Sequence, residues 1–178
     1  MTARVSFDFT GTTALVTGGT SGIGHAIATL FRDAGAEVAV TGTKAAAADY
    51  ETDLSGMTYH RLHLVDADSV DQLVRRFSRL DVLVNNAGAN FPGGLDESKP
   101  DGFDTSVTLN LTGPYRLTVG LRRALKASTA SGVPAWSTWH PCLRCERCRW
   151  YPATAPPRRG SSRSPGISRS SGPRWEYG

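Results

Sequence analysis

The sequence is short of several things. No apolar run is long enough to cross a membrane, which excludes a single-helix anchor. The opening stretch MTARVSFDFTG has no apolar core of the kind a secretory signal needs, so a cytoplasmic protein is expected. Cysteine and tryptophan are absent from residues 1–132, and no lysine follows Lys126. Charge is as lopsided as composition. Residues 1–132 carry 12 Lys+Arg against 14 Asp+Glu, whereas residues 133–178 carry 8 Arg, no Lys and 2 Glu. All four Trp, all three Cys and seven of the ten Pro lie in the second part. The net charge of +4 therefore describes neither part, and the composition breaks abruptly near Gly132–Val133. Two regions are expected: a domain over 1–132 and a basic Pro/Arg/Ser/Cys-rich tail over 133–178.

The first region alternates between two periodicities. Short β-rich apolar runs at 12–18, 36–42, 58–64 and 81–88 read as strands. The last of them, DVLVNNAG, is nearly all apolar at its start, as a strand buried on both faces should be. Helical periodicity fills 22–35, where Ile23, Ile27, Leu30 and Phe31 share a face and Gly35 stops the run. It returns at 66–80, with Asp66 or Asp68 as N-cap, and at 103–128, lightly broken at Gly113–Pro114. Strands alternating with helices predict an α/β fold, a doubly wound parallel sheet joined by right-handed crossovers.

The first strand–turn–helix carries chemistry. In TGGTSGIG, Thr17 to Gly24, Gly18 allows a tight turn out of the strand and Gly22 lets the backbone approach a pyrophosphate. Gly24 lets the helix pack against the sheet, and Ile23 lies in the same turn. The helix N-terminus offers free N–H groups and the positive end of its dipole, and Thr20 and Ser21 add hydroxyl donors. A glycine-rich turn alone is equally compatible with a plain strand-to-helix connection.

Three motifs occur together: TGxxxGIG near the N-terminus, NNAG at the end of the fourth strand, and Asn110 in the following helix (LNLTGP). In that order and spacing the sequence resembles the short-chain dehydrogenase/reductase family over about residues 9–130. The resemblance implies a Rossmann-type sheet, here incomplete in its C-terminal half, and hydride transfer between a nicotinamide and a carbonyl or alcohol carbon. It implies that Asn85–Gly88, with Asn86, Ala87 and Gly88 at the cofactor, lines the dinucleotide site and steadies the sheet. It assigns Asn110 to the catalytic site, holding a water in a proton relay; the other reading of Asn110 is a kink residue bonding a freed helix carbonyl beside Gly113–Pro114.

At the end of the second strand, where NAD-preferring relatives carry a carboxylate, this chain has Gly42, then Thr43 and Lys44. Lys44 could pair with a 2′-phosphate, which favours NADP over NAD, although it also reads as a solvated lysine at a helix start. The family's Asp-Val is His63-Leu64 here, which sets His63 beside the adenine rather than in catalysis. Small-molecule carbonyl or alcohol substrates follow, 3-oxoacyl-carrier-protein among them. No nucleic acid, no membrane and no metal is expected. Relatives pair as homodimers or homotetramers through the helix at 103–127 and one that follows the catalytic tyrosine; the second helix is not recognisable here.

The family's catalytic tyrosine is followed four residues later by a lysine that lowers its pKa, and is preceded by a serine that polarises the carbonyl. This chain has no YxxxK: Tyr151 is followed at that distance by Ala155. No fifth strand is expected either, because VPAWSTWHP holds two prolines and does not alternate. Strand four would then present an apolar edge, and residues 133–178 would be disordered and the chain inactive. A reading-frame shift near residue 133 accounts for the break. Back-translated and read from the third base of each codon, residues 133–178 allow VVNVASMSALRAVPVVPGYGAAKAG, in which the codons of Thr154 and Arg158 supply the tyrosine and lysine. The serine of VAS then falls thirteen codons before the tyrosine. The alternative is a non-catalytic dinucleotide-binding module whose tail binds a metal through His140, Cys142, Cys145 and Cys148, or nucleic acid through its arginines.

Overall fold

The computed structural model describes residues 7–90, 92–130 and the backbone of 135–138. Its strands are β1 (Thr13–Val16), β2 (Glu37–Gly42), β3 (Met57–Arg61), β4 (Val82–Asn85) and β5 (Ala135–Thr138). All pair in parallel, in the order β3-β2-β1-β4-β5. The helices are α1 (Gly22–Asp33), α2 (Ala67–Val74), α3 (Pro100–Val107), α4 (Gly113–Gly120) and α5 (Arg122–Lys126), with a π-turn at Thr108–Thr112 between α3 and α4. This is the expected doubly wound sheet. The strand order reverses at β1, so the crevice beyond the C-terminal ends of β1 and β4 is the switch point where such sheets bind ligands.

Two apolar layers cover the sheet. On one face Val16, Val38, Val40 and Val84 meet Ala28 of α1, with Ile27 and Phe31 packed alongside. On the other, Leu15 and Leu83 meet Val70 and Leu73 of α2, Leu117 of α4, Leu121, and Ala124 and Leu125 of α5. Leu117 is fully buried. A Leu117→Ala chain is expected to lose about 2–5 kcal/mol of stability, read as a lower urea midpoint with an unchanged slope.

A buried carboxylate ties this frame at its N-terminal edge. Asp81, just ahead of β4, accepts the Thr13 N–H at 2.9 Å through Oδ2 and the Ser128 hydroxyl at 2.5 Å through Oδ1. Arg79 lies 3.4 Å from Oδ2 and also donates to the Gly11 carbonyl and the Thr129 hydroxyl. One side chain thus joins the starts of β1 and β4 to the segment after α5.

Several expectations need correcting. The predicted helix over 66–80 ends at Val74: Arg76 and Phe77 donate to Leu73 and Val74, a tightened turn that brings the chain back to Leu80 and β4. Asp66 is its N-cap, accepting the Asp68 N–H at 3.0 Å. The long helix starts at Pro100 and continues through Gly113–Pro114, which open α4 at its first positions, where a missing N–H costs little. Its irregularity is the π-turn just before them.

The missing fifth strand is the largest correction. Ala135–Thr138 pairs in parallel with β4, matching Val82↔Ala135 through Asn85↔Thr138. A short parallel strand asks only for backbone groups along its length, and Pro134 and Pro141 fall outside the four paired residues. The edge of β4 is therefore covered along β5. The expected disorder of the tail, Tyr151, and the His140 and cysteine set lie outside the described residues.

Candidate functional site

The site is built where β1 meets α1. Gly18 and Gly22 sit at φ +63° and +54°, the left-handed region that glycine enters without a Cβ penalty. A Cβ on Gly24 would collide with the Gly18 carbonyl oxygen and the Asn86 amide, so helix and turn touch through bare backbone there. A Cβ on Gly22 would meet nothing within 4 Å. The turn is thus packed on one side and open on the other.

The N-terminus of α1 points into that opening. Ser21 is the N-cap, and its side chain makes no capping hydrogen bond. The helix ladder begins with the His25 N–H on the Ser21 carbonyl, at 3.1 Å, leaving the first-turn N–H groups outside it. Thr20 is buried under the turn, whereas Ser21 and Ile23 are exposed, Ile23 at 58%.

The segment after β4 is fastened to the same turn. Asn86 donates through Nδ2 to the carbonyls of Thr17 and Gly18, at 3.1 and 3.2 Å. The Thr17 hydroxyl, 1% exposed, accepts the N–H groups of Asn86 and Ala87, each at 3.0 Å. Sequence reasoning quoted Thr17 only as the start of a motif; its role depends on a strand nearly seventy residues away. Asn85 is buried and donates to the Thr118 hydroxyl of α4. Gly88 is exposed at the crevice.

Asn110 sits in the π-turn. Its Oδ1 accepts the Ala89 N–H at 3.0 Å, and its Nδ2 donates to the Ala89 carbonyl at 2.9 Å and reaches the Ser106 hydroxyl at 3.2 Å. It therefore clamps the segment after NNAG, and does not bond the helix carbonyl that the kink reading required. π-Turns inside α-helices are rare and concentrate at functional sites.

The loop after β2 is tied into a knot. The Lys44 amine donates to the Asp49 carbonyl at 2.6 Å and lies 4.8 Å from the centre of the Tyr50 ring. Tyr59 donates to the Lys44 carbonyl at 2.6 Å, and Tyr50 accepts the Lys44 N–H at 2.9 Å. Burial, together with neighbouring Tyr50, pushes the Tyr59 hydroxyl well above the ordinary tyrosine range. Thr43 is exposed at the mouth of this loop. Lys44 is thus a held lysine rather than a freely solvated one, and neither tyrosine was foreseen. Just after β3, the His63 ring accepts from Arg61 Nε at 3.0 Å, and the His63 backbone N–H donates to the Ser69 hydroxyl; Leu64 is buried in the core.

Among the described residues no group of three His, Cys, Asp or Glu side chains is placed to hold a metal, and no helix is long and apolar enough to cross a membrane.

Comparison with known proteins points one way. The short chain dehydrogenase family profile matches residues 12–133. L-Fucose dehydrogenase of Oryctolagus cuniculus is 36% identical over 115 residues, 61% of this chain and 40% of that protein. The rhamnolipids biosynthesis 3-oxoacyl-(acyl-carrier-protein) reductase of Pseudomonas aeruginosa is 35% identical over 139 residues, 72% of this chain and 54% of that one. A solved short chain dehydrogenase from Burkholderia cenocepacia, in complex with NADP, aligns with a TM-score of 0.56 at 32% identity, over 65% of this chain and 51% of that one. The chain spans about half the length of the curated relatives it matches.

Proposed function

Because the chain belongs to the short-chain dehydrogenase family, we propose that residues 1–132 bind a nicotinamide dinucleotide in the service of hydride transfer to or from a carbonyl or alcohol carbon. The observation that carries this reading is the asymmetry of the glycine turn. Its inner side is filled, and a Cβ on Gly22 would meet open space in front of uncapped helix N–H groups. Two phosphates of a dinucleotide need that combination of room and donors.

The residues then take these roles. The backbone from Gly18 to Gly24, with the exposed hydroxyl of Ser21 and the side chain of Ile23, cradles the pyrophosphate, and buried Thr20 supports the turn from beneath. Thr43 and Lys44 meet the adenosine ribose. His63 and Leu64 border the adenine, and Asn86, Ala87 and Gly88 line the floor toward the nicotinamide. Asn110 positions the segment at Ala89 and belongs to the proton relay. A bound cofactor would supply or take up the hydride. NADP is the proposed form: Gly42 offers no carboxylate to repel a 2′-phosphate, and Lys44 stands two residues further on as a cation to pair with one. The similar chain solved with NADP supports a nicotinamide dinucleotide. A 3-oxoacyl thioester is the proposed substrate class, supported by the carrier-protein reductase among the relatives.

The catalytic serine, tyrosine and lysine belong to the alternative reading frame of residues 133–178, so the chain as written binds cofactor without turning over. Isothermal titration with NADP+ is expected to give saturable one-to-one binding, with no NADPH oxidation on 3-oxoacyl thioesters. A folded chain that binds neither NADP+ nor NAD+ overturns the proposal. Sequencing the coding DNA from about codon 120 onward tests the frame. One inserted or deleted base near codon 133 restores YGAAK, and the corrected protein should reduce its substrate with NADPH.

A further inference from the structure

A cavity of about 460 Å³ lies along the outer edge of the sheet, between β3 and α2, away from the glycine turn. Arg61, His60, His63, Arg76, Asp66 and Ser69 line it, and Ala45 closes the end nearest the β2 loop. The charge is uneven. Two guanidiniums face one carboxylate, and Asp66 already accepts the Asp68 N–H as the cap of α2. The ion pairs among the described residues use Arg32 and Arg79, so Arg61 and Arg76 have no carboxylate there. Arg61 spends its Nε on His63, and the residue is exposed. Ser69 accepts the His63 N–H and retains its own hydroxyl proton to donate. His60 is held below the ordinary histidine range by burial and by the Arg76 guanidinium, a repulsion that an anion between them relieves.

Such a set of donors is poorly compensated by protein, and forked guanidiniums match phosphate oxygens. The cavity is also far larger than a simple ion and falls in the size range of small-molecule sites. We propose that the β3–α2 edge is a binding site for a phosphate monoester, with Arg61 and Arg76 as its paired cations and Ser69 as a neutral donor. Apart from His63, it uses none of the residues assigned above. Two sources share this chemistry: the 2′-phosphate of a dinucleotide lying across the end of β2, which Arg61 neighbours through the Gly42↔Arg61 pairing, or a separate sugar or nucleoside phosphate.

Titration of the full chain with inorganic phosphate, at ionic strength held constant with sodium chloride, tests the site. Saturable binding is expected, weakened about fivefold or more in Arg61→Gln and in Arg76→Gln. Both arginines are exposed, so both variants should keep the wild-type melting temperature. Phosphate binding no stronger than chloride binding, or binding indifferent to both substitutions, overturns the proposal. The same variants titrated with NADP+ and NAD+ separate the sources. For the 2′-phosphate, free phosphate competes with NADP+ but not NAD+, and only NADP+ weakens in the variants. For a separate ligand, phosphate binds undiminished to the NADP+-saturated chain. If neither dinucleotide binds, the phosphate titration still decides this site on its own.

Discussion

Replacing Gly24 with valine is expected to abolish dinucleotide binding and to cost about 2–3 kcal/mol of folding stability or more. The Cβ alone lands on the Gly18 carbonyl oxygen and on the Asn86 amide. The first is backbone and cannot step aside without opening the turn. The second is the group that fastens the β4 segment to Thr17 and Gly18, so pushing it away undoes two further hydrogen bonds. Gly22→Ala is the informative contrast. Its Cβ meets no protein atom, and the cost is confined to holding alanine at φ +54°, about 1 kcal/mol. That methyl instead enters the space proposed for the phosphates. Gly24→Val should therefore lower both the urea midpoint and NADP+ affinity, whereas Gly22→Ala should lower mainly affinity. Equal loss of stability in the two would remove the case for an open outer side.

Asp81→Ala is expected to cost about 1–3 kcal/mol, the range for leaving buried hydrogen-bond donors without their acceptor. It leaves the Thr13 N–H without its acceptor and Arg79 without its counter-charge, at the point where two strands begin. The same carboxylate makes the fold acid-sensitive. Burial alone would raise its pKa, but hydrogen bonds from Ser128 and Thr13 and the charge of Arg79 outweigh that and hold it below the ordinary carboxylate range. A group depressed in the folded state stabilises above its unfolded pKa, near ~3.9, and that contribution fades as pH falls through the folded value. Urea midpoints should thus fall more steeply below about pH 4 in the wild type than in Asp81→Ala. Parallel curves would mean the carboxylate is not linked to folding.

Much of this was legible in the order of residues, and the parts that were not share a cause. β1, β2 and β4 are short apolar runs ended by glycine or asparagine, so burial on both faces marks them without tertiary information. The glycine turn was readable because backbone conformation is local. Thr17, Asp81 and the Tyr50–Tyr59 pair were not, since each acts through a partner that only the fold brings near. Asn110 was singled out through its motif, yet its partner Ala89 lies on a different element from the helix carbonyl that the Gly113–Pro114 break suggests. β5 was missed because a four-residue strand can borrow its order from a neighbour: VPAWSTWHP has little strand character of its own, and β4 supplies the template.

The π-turn at Thr108–Thr112 has a geometric consequence for the whole long helix. An α-helix advances 100° per residue, so one extra residue in a single turn rotates everything beyond it by about that angle. The two halves are therefore out of phase. The half before the turn is indexed so that Ser106 meets Asn110, which holds Ala89 from within the turn; the half after it so that Leu117 and Leu121 meet the sheet. In a helix of constant pitch, one setting would dictate the other. The wide turn works as a gear between them, so the aim of Asn110 and the seating of the core leucines can each be satisfied without compromise to the other.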